Sequence, residues 1–456
     1  MFVIISLTLT KIKIAYSMSD SSIQLTNKKI FYFWIPLAAT WLMMSIEGSY
    51  IAALIARMPE PKFNLAAYGV AFSFALIIEA PIIMMMSASI ALVKDNQSFH
   101  KLRNFTYAAN GLITLLMLIL VIPQVFYFIT EDLIGLPSEV SRLTHIATTI
   151  LIPWPGAIGY RRFYQGILIR NNLTRLVAYG TVIRLITMTG TALFLFLFTN
   201  VDGVVVGSSA LSLAVVFEAI ASRLMANRIV KEIKAGDNIK DETLGYKEIY
   251  KFYYPLALTS VIGMGVQPVV TFFVGQSRMA IESLAILPVV TSFVFIFRGL
   301  GLSFQEVVIA LSGETAENFK SIKQFAIILA AVLTTVLSVV AFTPLADFWF
   351  KTISGLSDSL SETAKIPLMI MAIFPSLTVL VSTQRGLLVA TKETKPLTIG
   401  IAVEFTGIII VLAICINLFS LIGAIAASVA YVLGRIAANI YLISPSAKIL
   451  KQKQKK

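Results

Sequence analysis

Pro36-Leu37-Ala38-Ala39-Thr40 opens an apolar stretch that runs to Ile90-Ala91-Leu92 and recurs later in the chain. The opening returns as Pro255-Leu256-Ala257-Leu258-Thr259 and the ending as Ile309-Ala310-Leu311, each 219 residues further on. One shift at both ends of a stretch indicates that a whole folding unit is repeated, because chance matches of short words would not share a spacing. The chain therefore contains two copies of one unit.

The composition is that of a polytopic membrane protein. Hydrophobic residues make up 57% and charged residues 13% of the 456 residues, and the mean hydropathy is +0.84. Soluble domains carry roughly a quarter charged residues. The net charge of +13 comes mostly from Lys and Arg in short loops and at the C-terminus, where they orient a membrane protein. We therefore do not expect nucleic-acid binding.

Twelve segments have the roughly 20 apolar residues that a membrane-spanning helix needs. They cover about 30–56, 65–93, 104–129, 142–169, 174–199, 203–227, 249–275, 282–311, 320–345, 363–390, 396–418 and 421–445. The repeat continues through them, since Pro155 corresponds to Pro375 and Gly166-Ile167-Leu168 to Gly386-Leu387-Leu388, now 220 residues apart. Six spans return the chain to the side on which it began, so the two units have parallel topology.

We therefore expect an all-α membrane protein of twelve helices in two pseudo-symmetric six-helix lobes. The predicted N-lobe covers 30–227 and the C-lobe 249–445, with a linker at 228–248 and a basic tail at 446–456. Residues 1–29 form an N-terminal segment, of which 1–17 are an extension or a misassigned start, because they lack the pattern of a secretory signal. Loops rich in Lys and Arg alternate along the chain with loops that carry few positive charges. Because positively charged loops face the cytoplasm, we expect both termini and the linker on the cytoplasmic side of an inner or plasma membrane.

Ionisable residues inside the spans are the candidates for function. One at the centre of an isolated span costs about 2.5 to 3.5 kcal/mol, so it has to face a partner or water. The repeat places Glu79 opposite Arg298, and Arg184 opposite Glu404, at corresponding positions. The candidate substrate- or ion-binding residues are Glu47, Glu79, Arg184, Gln267, Arg298, Glu306 and Glu404.

Two interpretations of these charges remain open. In the first interpretation, a central site is formed by Glu79, Arg298 and Glu306. Arg298 there binds an anion while an acid carries protons, and Glu47 is a further proton-linked candidate. In the second interpretation, the lobes are tied together by ion pairs, either Glu79 with Arg298 or Arg184 with Glu404. Glu47 in that case is a wetted residue of the outer vestibule.

The fourth helix ends in Tyr160-Arg161-Arg162-Phe163-Tyr164-Gln165-Gly166. We expect Arg161 and Arg162 to anchor in the headgroup layer by extending their charged ends to the membrane surface. The alternative is that they form, with Gln165, a cytoplasmic access funnel for an anionic substrate.

Enzymatic function and cofactors are not expected. The phosphate-binding pattern Gly-x4-Gly-Lys-Ser/Thr is absent from the sequence. The single cysteine, Cys415, and the two histidines allow neither an intrachain disulfide nor a Cys-based or His-rich metal centre. The energy for transport then comes from an ion gradient, from the substrate's own gradient or from a partner.

The twelve spans, the early Pro36 and Pro255, and the Arg161–Gly166 helix end resemble the multidrug, oligosaccharidyl-lipid and polysaccharide exporter (MOP) superfamily. That superfamily includes the multidrug and toxic compound extrusion (MATE) transporters. Tyr254-Pro255-Leu256-Ala257-Leu258, Pro268 and Glu282-Ser283-Leu284-Ala285-Ile286-Leu287 are more similar to the progressive ankylosis (ANK) proteins.

The resemblance implies export by alternating access, with two lobes that rock around a central cavity. It implies cation-coupled drug efflux in the MATE branch, flipping of lipid-linked sugars in the polysaccharide branch, and export of anions such as citrate, ATP or pyrophosphate in the ANK branch. Two departures argue against MATE-type coupling. Helix seven offers Gln267 and no acid, and Ile51 stands where that branch usually has an aspartate fifteen residues after the first proline.

We therefore expect a secondary active transporter, not an enzyme, that exports a small or amphipathic organic solute, with an anion as one candidate. The partners would be that substrate, a proton or sodium ion, and membrane lipids. A lipid-linked oligosaccharide flippase and a proton-coupled multidrug exporter are the alternatives.

Overall fold

The computed structural model describes residues 25–236, 244–313 and 316–453, and within them the chain is almost entirely helical. The predicted extension at 1–17 lies outside the described residues. The helices are α1 Asn27–Ile55, α2 Pro61–Glu79, α3 Met85–Leu92, α4 Asn96–Leu120, α5 Pro123–Tyr127, α6 Ser138–Ile150, α7 Pro153–Arg170, α8 Thr174–Phe198, α9 Gly203–Ala235, α10 Tyr246–Gly275, α11 Ala280–Leu302, α12 Phe304–Leu311, α13 Phe319–Ala341, α14 Leu345–Asp347, α15 Asp358–Met371, α16 Phe374–Ala390, α17 Lys395–Ala413 and α18 Gly423–Lys453. Short π-helical turns follow α5, α14 and α17, at Phe128–Leu133, Phe348–Ile353 and Ile414–Leu418.

Eleven helical stretches in the described part of the chain are long and apolar enough to cross a membrane. They account for eleven of the twelve predicted spans. The twelfth, formed by α6 and α7, is not among them; polar side chains and prolines interrupt its apolar sequence, and Arg161, Arg162 and Arg170 lie toward its end. These charges are buried or half-buried inside the protein, so the helix does not need the apolarity of a lipid-facing span.

Four of the twelve spans are broken into two helices. Pro81 lies in the turn between α2 and α3, and Pro153 and Pro375 lie in the first turns of α7 and α16. Proline suits the first turn because it has no N–H to leave unbonded. The break between α11 and α12 falls at Ser303 without a proline. Prolines thus accompany three of the four breaks, whereas Pro36, Pro255, Pro268 and Pro288 lie inside continuous helices.

The repeated glycines lie where broken helices cross. A Cβ on Gly166 of α7 would lie 2.6 Å from the Met86 carbonyl oxygen of α3, and one on Gly386 of α16 would lie 2.9 Å from the Gln305 carbonyl oxygen of α12. Only glycine allows backbones to approach so closely. The motif Gly-(Ile/Leu)-Leu recurs because this crossing recurs in both halves.

The helices of the two halves pack together at the end of the bundle that carries the linker, which we call the linker end. The largest hydrophobic core runs through both halves there, whereas a second core is confined to the opposite, far half of α10–α18. Trp34 of α1 donates its indole N–H to the Ser303 hydroxyl at 2.9 Å. Tyr253 of α10 donates to the Pro81 carbonyl oxygen at 2.8 Å. The lobes are thus closed against each other at the linker end.

This closure predicts a cross-link. The Gln305 amide of α12 lies 3.5 Å from the Ser87 hydroxyl of α3. We expect the double variant Ser87→Cys, Gln305→Cys, in a Cys415→Ser background, to form a bridge between the lobes under oxidation and to lose transport until reductant is added. Gel mobility after proteolysis in the linker, read beside flux, measures it. Each single-cysteine variant should remain active under oxidation, and full flux in the cross-linked protein would contradict rocking of the lobes.

The predicted segments at the ends of the lobes are more helical than expected. Helix α9 continues to Ala235 and α10 begins at Tyr246, so the segment between them is shorter than the predicted linker at 228–248. Residues 237–243, which include Asp237-Asn238 of that linker, lie outside the described residues. The predicted basic tail at 446–456 continues α18 as far as Lys453.

Candidate functional site

Glu218 of α9 is the centre of a buried polar network in the N-lobe. Its carboxylate is ion-paired with Arg161 of α7 and accepts a hydrogen bond from the Gln165 amide at 3.1 Å. The Thr181 hydroxyl of α8 donates to the same carboxylate at 3.3 Å. Because Glu218 is 0% exposed, these bonds replace the water that the charge would otherwise require.

Arg184 of α8 extends this network to α1. Its guanidinium lies 2.5 Å from the Glu47 carboxylate and 3.6 Å from that of Glu218. It also lies 5.4 Å from the centre of the Trp154 ring. Arg161 and Arg184 thus balance Glu47 and Glu218, so this part of the N-lobe carries no net charge.

Glu79, at the end of α2, lies beside this network and has a neutral partner. Its carboxylate accepts a hydrogen bond from the Trp154 indole N–H at 2.5 Å, and its side chain is buried. The nearby cations are Arg162, Arg161 and Arg184, all from the N-lobe. The structure does not bring Glu79 and Arg298 into contact.

The C-lobe has its own network around Glu404 of α17. Arg435 of α18 contacts this carboxylate through Nη2 at 2.7 Å and Nε at 2.9 Å. Arg385 of α16 lies further away, with Nη2 at 3.7 Å from Glu404 Oε2. Both arginines keep guanidinium nitrogens without a hydrogen-bond partner within the described residues.

Arg298 of α11 adds a third cation to the C-lobe. Its guanidinium lies 4.7 Å from the centre of the Phe374 ring, and that of Arg435 lies 5.1 Å from the same centre. The Arg298 Nε has no hydrogen-bond partner in the described structure. Gln267 of α10 accepts a hydrogen bond from the Tyr431 hydroxyl at 3.0 Å beside this group. The C-lobe interior thus holds three arginines, of which Arg385 and Arg435 contact Glu404 and Arg298 has no ion-pair partner among the described residues.

Glu306 of α12 lies where the lobes meet, and its side chain is buried with one carboxylate oxygen unbonded. Arg162 of α7 is the nearby cation from the opposite lobe. Arg162 itself is buried, and its guanidinium contacts the Met86 sulfur at 3.7 Å. Arg162 thus belongs to the electrostatic surroundings of Glu306 at the lobe contact, although the two form no ion pair in the described structure.

Three of our structural expectations are wrong. Arg161 and Arg162 do not extend to the membrane surface, since they are 1% and 8% exposed. Glu47 is not a wetted vestibule residue, because it is buried and paired with Arg184. Neither proposed ion pair ties the lobes together: Arg184 bonds within the N-lobe and Glu404 within the C-lobe. The roles of these residues in binding substrate or ions stay predictions.

Four further residues belong to these networks and were not among the predicted site residues: Trp154, Glu218, Arg385 and Arg435. Glu218 and Arg435 lie inside apolar spans, so the rule that identified Glu79 could also have selected them. Arg385 occupies the position that corresponds to Gln165 in the repeat. Trp154 gave no signal, because an apolar helix end accommodates tryptophan without a partner.

Comparison with known proteins rests on structure alone, because no family model and no curated protein matches the chain by sequence. The chain superimposes on an outward-facing multidrug resistance MATE transporter of the MOP superfamily with a TM-score of 0.73 over 96% of this chain and 100% of that one, at 15% identity. The chain has the MATE-like fold. A mutant MATE transporter from Vibrio cholerae matches with a TM-score of 0.69 over 93% of this chain and 97% of that one, at 16% identity.

A third MATE-like structure is a MOP superfamily transporter from Pyrococcus furiosus, described as having a binding pocket of reversed polarity that suggests a different function. It matches with a TM-score of 0.73 over 95% of this chain and 98% of that one, at 14% identity. These matches confirm the predicted fold of twelve helices in two lobes. The resemblance to ANK proteins stays a prediction.

Proposed function

We propose that this chain is a secondary active transporter that exports an anionic organic solute across the inner or plasma membrane. The observation that carries the proposal is the excess of positive charge inside the C-lobe. Arg385 and Arg435 there share the carboxylate of Glu404, and Arg298 has no ion-pair partner in the described structure. The MATE-like fold supplies the two lobes that alternating access requires.

The excess charge is costly until an anion binds. The guanidinium groups of Arg298 and Arg435 lie 4.7 Å and 5.1 Å from the centre of the same Phe374 ring, so they are at most about 10 Å apart. At that upper limit, and with an effective dielectric constant of about 20, two such charges repel by roughly 1.7 kcal/mol, and a shorter separation would increase the repulsion. A carboxylate or phosphate would relieve this repulsion, and guanidinium groups bind both through paired, charge-assisted hydrogen bonds.

The same residues disfavour a cationic drug as substrate. In the C-lobe Glu404 is already contacted by Arg435 and Arg385, and the other buried acid, Glu306, lies at the lobe contact near Arg162. Gln267 is neutral and bonded to Tyr431. In the N-lobe Glu47 and Glu218 are paired with arginines, so Glu79 is the acid there without a cation in direct contact.

Glu306 is the proposed coupling residue. Its unbonded carboxylate oxygen and its position at the lobe contact mean that separation of the lobes would change its surroundings. It would then take up a proton, or bind a sodium ion, on one side and release it on the other. The basic residues at the linker end support a cytoplasmic location for that end, and closure there would leave the C-lobe arginines accessible from outside.

Flux into proteoliposomes tests this function. Citrate, pyrophosphate, ATP and an organic-cation dye would be offered singly, with a proton gradient, a sodium gradient or neither. We expect flux of at least one anion and none of the dye, with the gradient dependence lost in Glu306→Gln. Gradient-driven flux of the dye alone would overturn the proposal in favour of drug efflux, and flux of none of the four would favour a lipid-linked saccharide.

A further inference from the structure

A groove of about 750 Å³ lies on the outside of the N-lobe, between α4 and α7. Toward the far end its walls are apolar, with Leu115 and Leu118 exposed at the surface. Toward the linker end it is polar, since Asn110 and Tyr107 line it from α4 and Tyr160 lines it from α7. In a membrane protein a groove that opens toward the bilayer in this way is filled by lipid.

Comparison with the C-lobe shows that this groove belongs to one half. At a shift of 220 residues Gly156 and Thr114 of the groove correspond to Ser376 and Thr334. In the C-lobe the Ser376 and Thr334 hydroxyls are hydrogen-bonded to each other, and the Ser376 amide donates to Thr334 at 3.2 Å. In the N-lobe Gly156 has no side chain, so the two helices are not joined by this bond.

The polar lining is also particular to the N-lobe. The positions of Tyr107, Asn110 and Tyr160 are those of Ile327, Ala330 and Leu380 in the C-lobe. Tyr107 and Tyr160 stack at 5.9 Å with 13° between their planes. The Asn110 side-chain oxygen is enclosed against Gly159 of α7, and the Tyr107 hydroxyl is hydrogen-bonded to that of Tyr164 at 3.2 Å. The groove is thus lined by polar side chains where the C-lobe has apolar ones.

Three cations surround the linker end of the groove. Arg103 of α4 lies 5.8 Å from the centres of both the Tyr107 and Phe99 rings, and Lys234 of α9 lies 5.7 Å from that of Phe99. Arg223 of α9 lies 5.1 Å from the centre of the Tyr164 ring.

Among the described residues, none of these three cations forms an ion pair. Arg103 and Arg223 donate to the side-chain amides of Asn104 and Asn227, which carry no charge. Tyrosine and basic residues together are typical of the headgroup layer. Arg103 and Asn110 are seven residues apart on one helix, about 10 Å, which suits a headgroup above and a glycerol backbone below.

We propose that this groove is a binding site for one anionic phospholipid. The phosphate lies among Arg103, Lys234 and Arg223, the glycerol region lies against Asn110 and the tyrosines, and an acyl chain lies along Leu115 and Leu118. The three cations select an anionic headgroup, and the lack of a side chain at Gly156 leaves room for the acyl chain. The lipid would hold α4 and α7 together in the N-lobe, as the Ser376 to Thr334 bond holds their counterparts in the C-lobe.

Lipid titration of the delipidated full-length protein in a neutral detergent tests the site. Dioleoyl phosphatidylglycerol and dioleoyl phosphatidylcholine would be added separately, with bound lipid counted by native mass spectrometry and the thermal unfolding midpoint recorded. We expect one phosphatidylglycerol to bind at the lowest concentrations and to raise the midpoint. Arg103→Gln should raise the half-saturating concentration about fivefold, since one surface cation is worth roughly that factor. Gly156→Ser should raise it as well, because its side chain would meet the Thr114 hydroxyl and narrow the groove.

Lys323→Gln is the matched control, because Lys323 occupies the position of Arg103 in the C-lobe; it should leave binding unchanged. Lys234→Gln, at an exposed position, guards against misfolding of the other variants and should weaken binding like Arg103→Gln. Equal binding of the two lipids, or equal weakening by Lys323→Gln and Arg103→Gln, would overturn the proposal and leave only a general attraction of anionic lipid to basic loops.

Discussion

Replacing Glu218 with glutamine is expected to lower the free energy of unfolding by about 3–5 kcal/mol, the range for breaking a buried ion pair on one side. Glutamine keeps an oxygen that can accept from Gln165 and Thr181, so those hydrogen bonds survive. What is lost is the charge that compensates Arg161 directly and Arg184 at 3.6 Å. The measurement is the unfolding transition of the purified protein in detergent.

Glu232→Gln provides the control on the same helix. Glu232 and Arg228 form an ion pair at 3.0 Å that is largely exposed, and such pairs contribute about 0.3–0.5 kcal/mol. The double variant Arg161→Met, Glu218→Leu should recover much of the lost stability, because it removes the uncompensated charge and leaves Arg184 paired with Glu47. Equal effects of Glu218→Gln and Glu232→Gln would contradict the buried network.

Arg298→Gln is expected to weaken binding of the transported anion about 10- to 150-fold. This factor corresponds to the roughly 1.5–3 kcal/mol that a hydrogen bond to a charged group contributes. In the absence of anion the same substitution should leave stability unchanged or raise it, since it removes one of two cations that repel each other across Phe374. Anion-dependent shifts of the thermal midpoint measure both effects.

Two further variants make this result specific. Arg278→Gln removes an exposed arginine from the far end of the same lobe and should leave affinity unchanged. Arg298→Lys retains the charge without the paired geometry, so its affinity should lie between those of the wild type and Arg298→Gln. Anion affinity that Arg298→Gln leaves intact would exclude this arginine from the site.

The membrane-spanning segments and their order could be predicted from the apolar residues of the sequence. The twelve predicted spans correspond to helical stretches in the structure, because a bilayer requires about 20 apolar residues per span wherever the helix lies. The repeat added the two-lobe arrangement, since Pro36 with Pro255 and Gly166 with Gly386 occupy corresponding places. The comparisons with MATE structures confirm this fold.

The partners of the buried charges were not readable in the same way. The shift correctly assigns Arg184 and Glu404 to corresponding places in α8 and α17, yet they never meet. The position of a residue in the sequence determines its depth along a helix. Whether it forms an ion pair also depends on the direction in which its side chain points and on which helix lies in that direction. Arg184 meets Glu47, which lies 137 residues earlier in the chain, because α8 packs against α1.

By itself the sequence determined the class of protein, the number and order of its membrane spans, the two-fold repeat and the residues whose burial needed explanation. Only the tertiary structure decided which charges cancel and which remain. In the N-lobe Glu47 and Glu218 are paired with Arg184 and Arg161, whereas the C-lobe interior places three arginines near Glu404. Periodicity and hydropathy act within one helix, whereas Coulomb energy at a few ångströms depends on which helices are neighbours, and that is a property of the folded bundle.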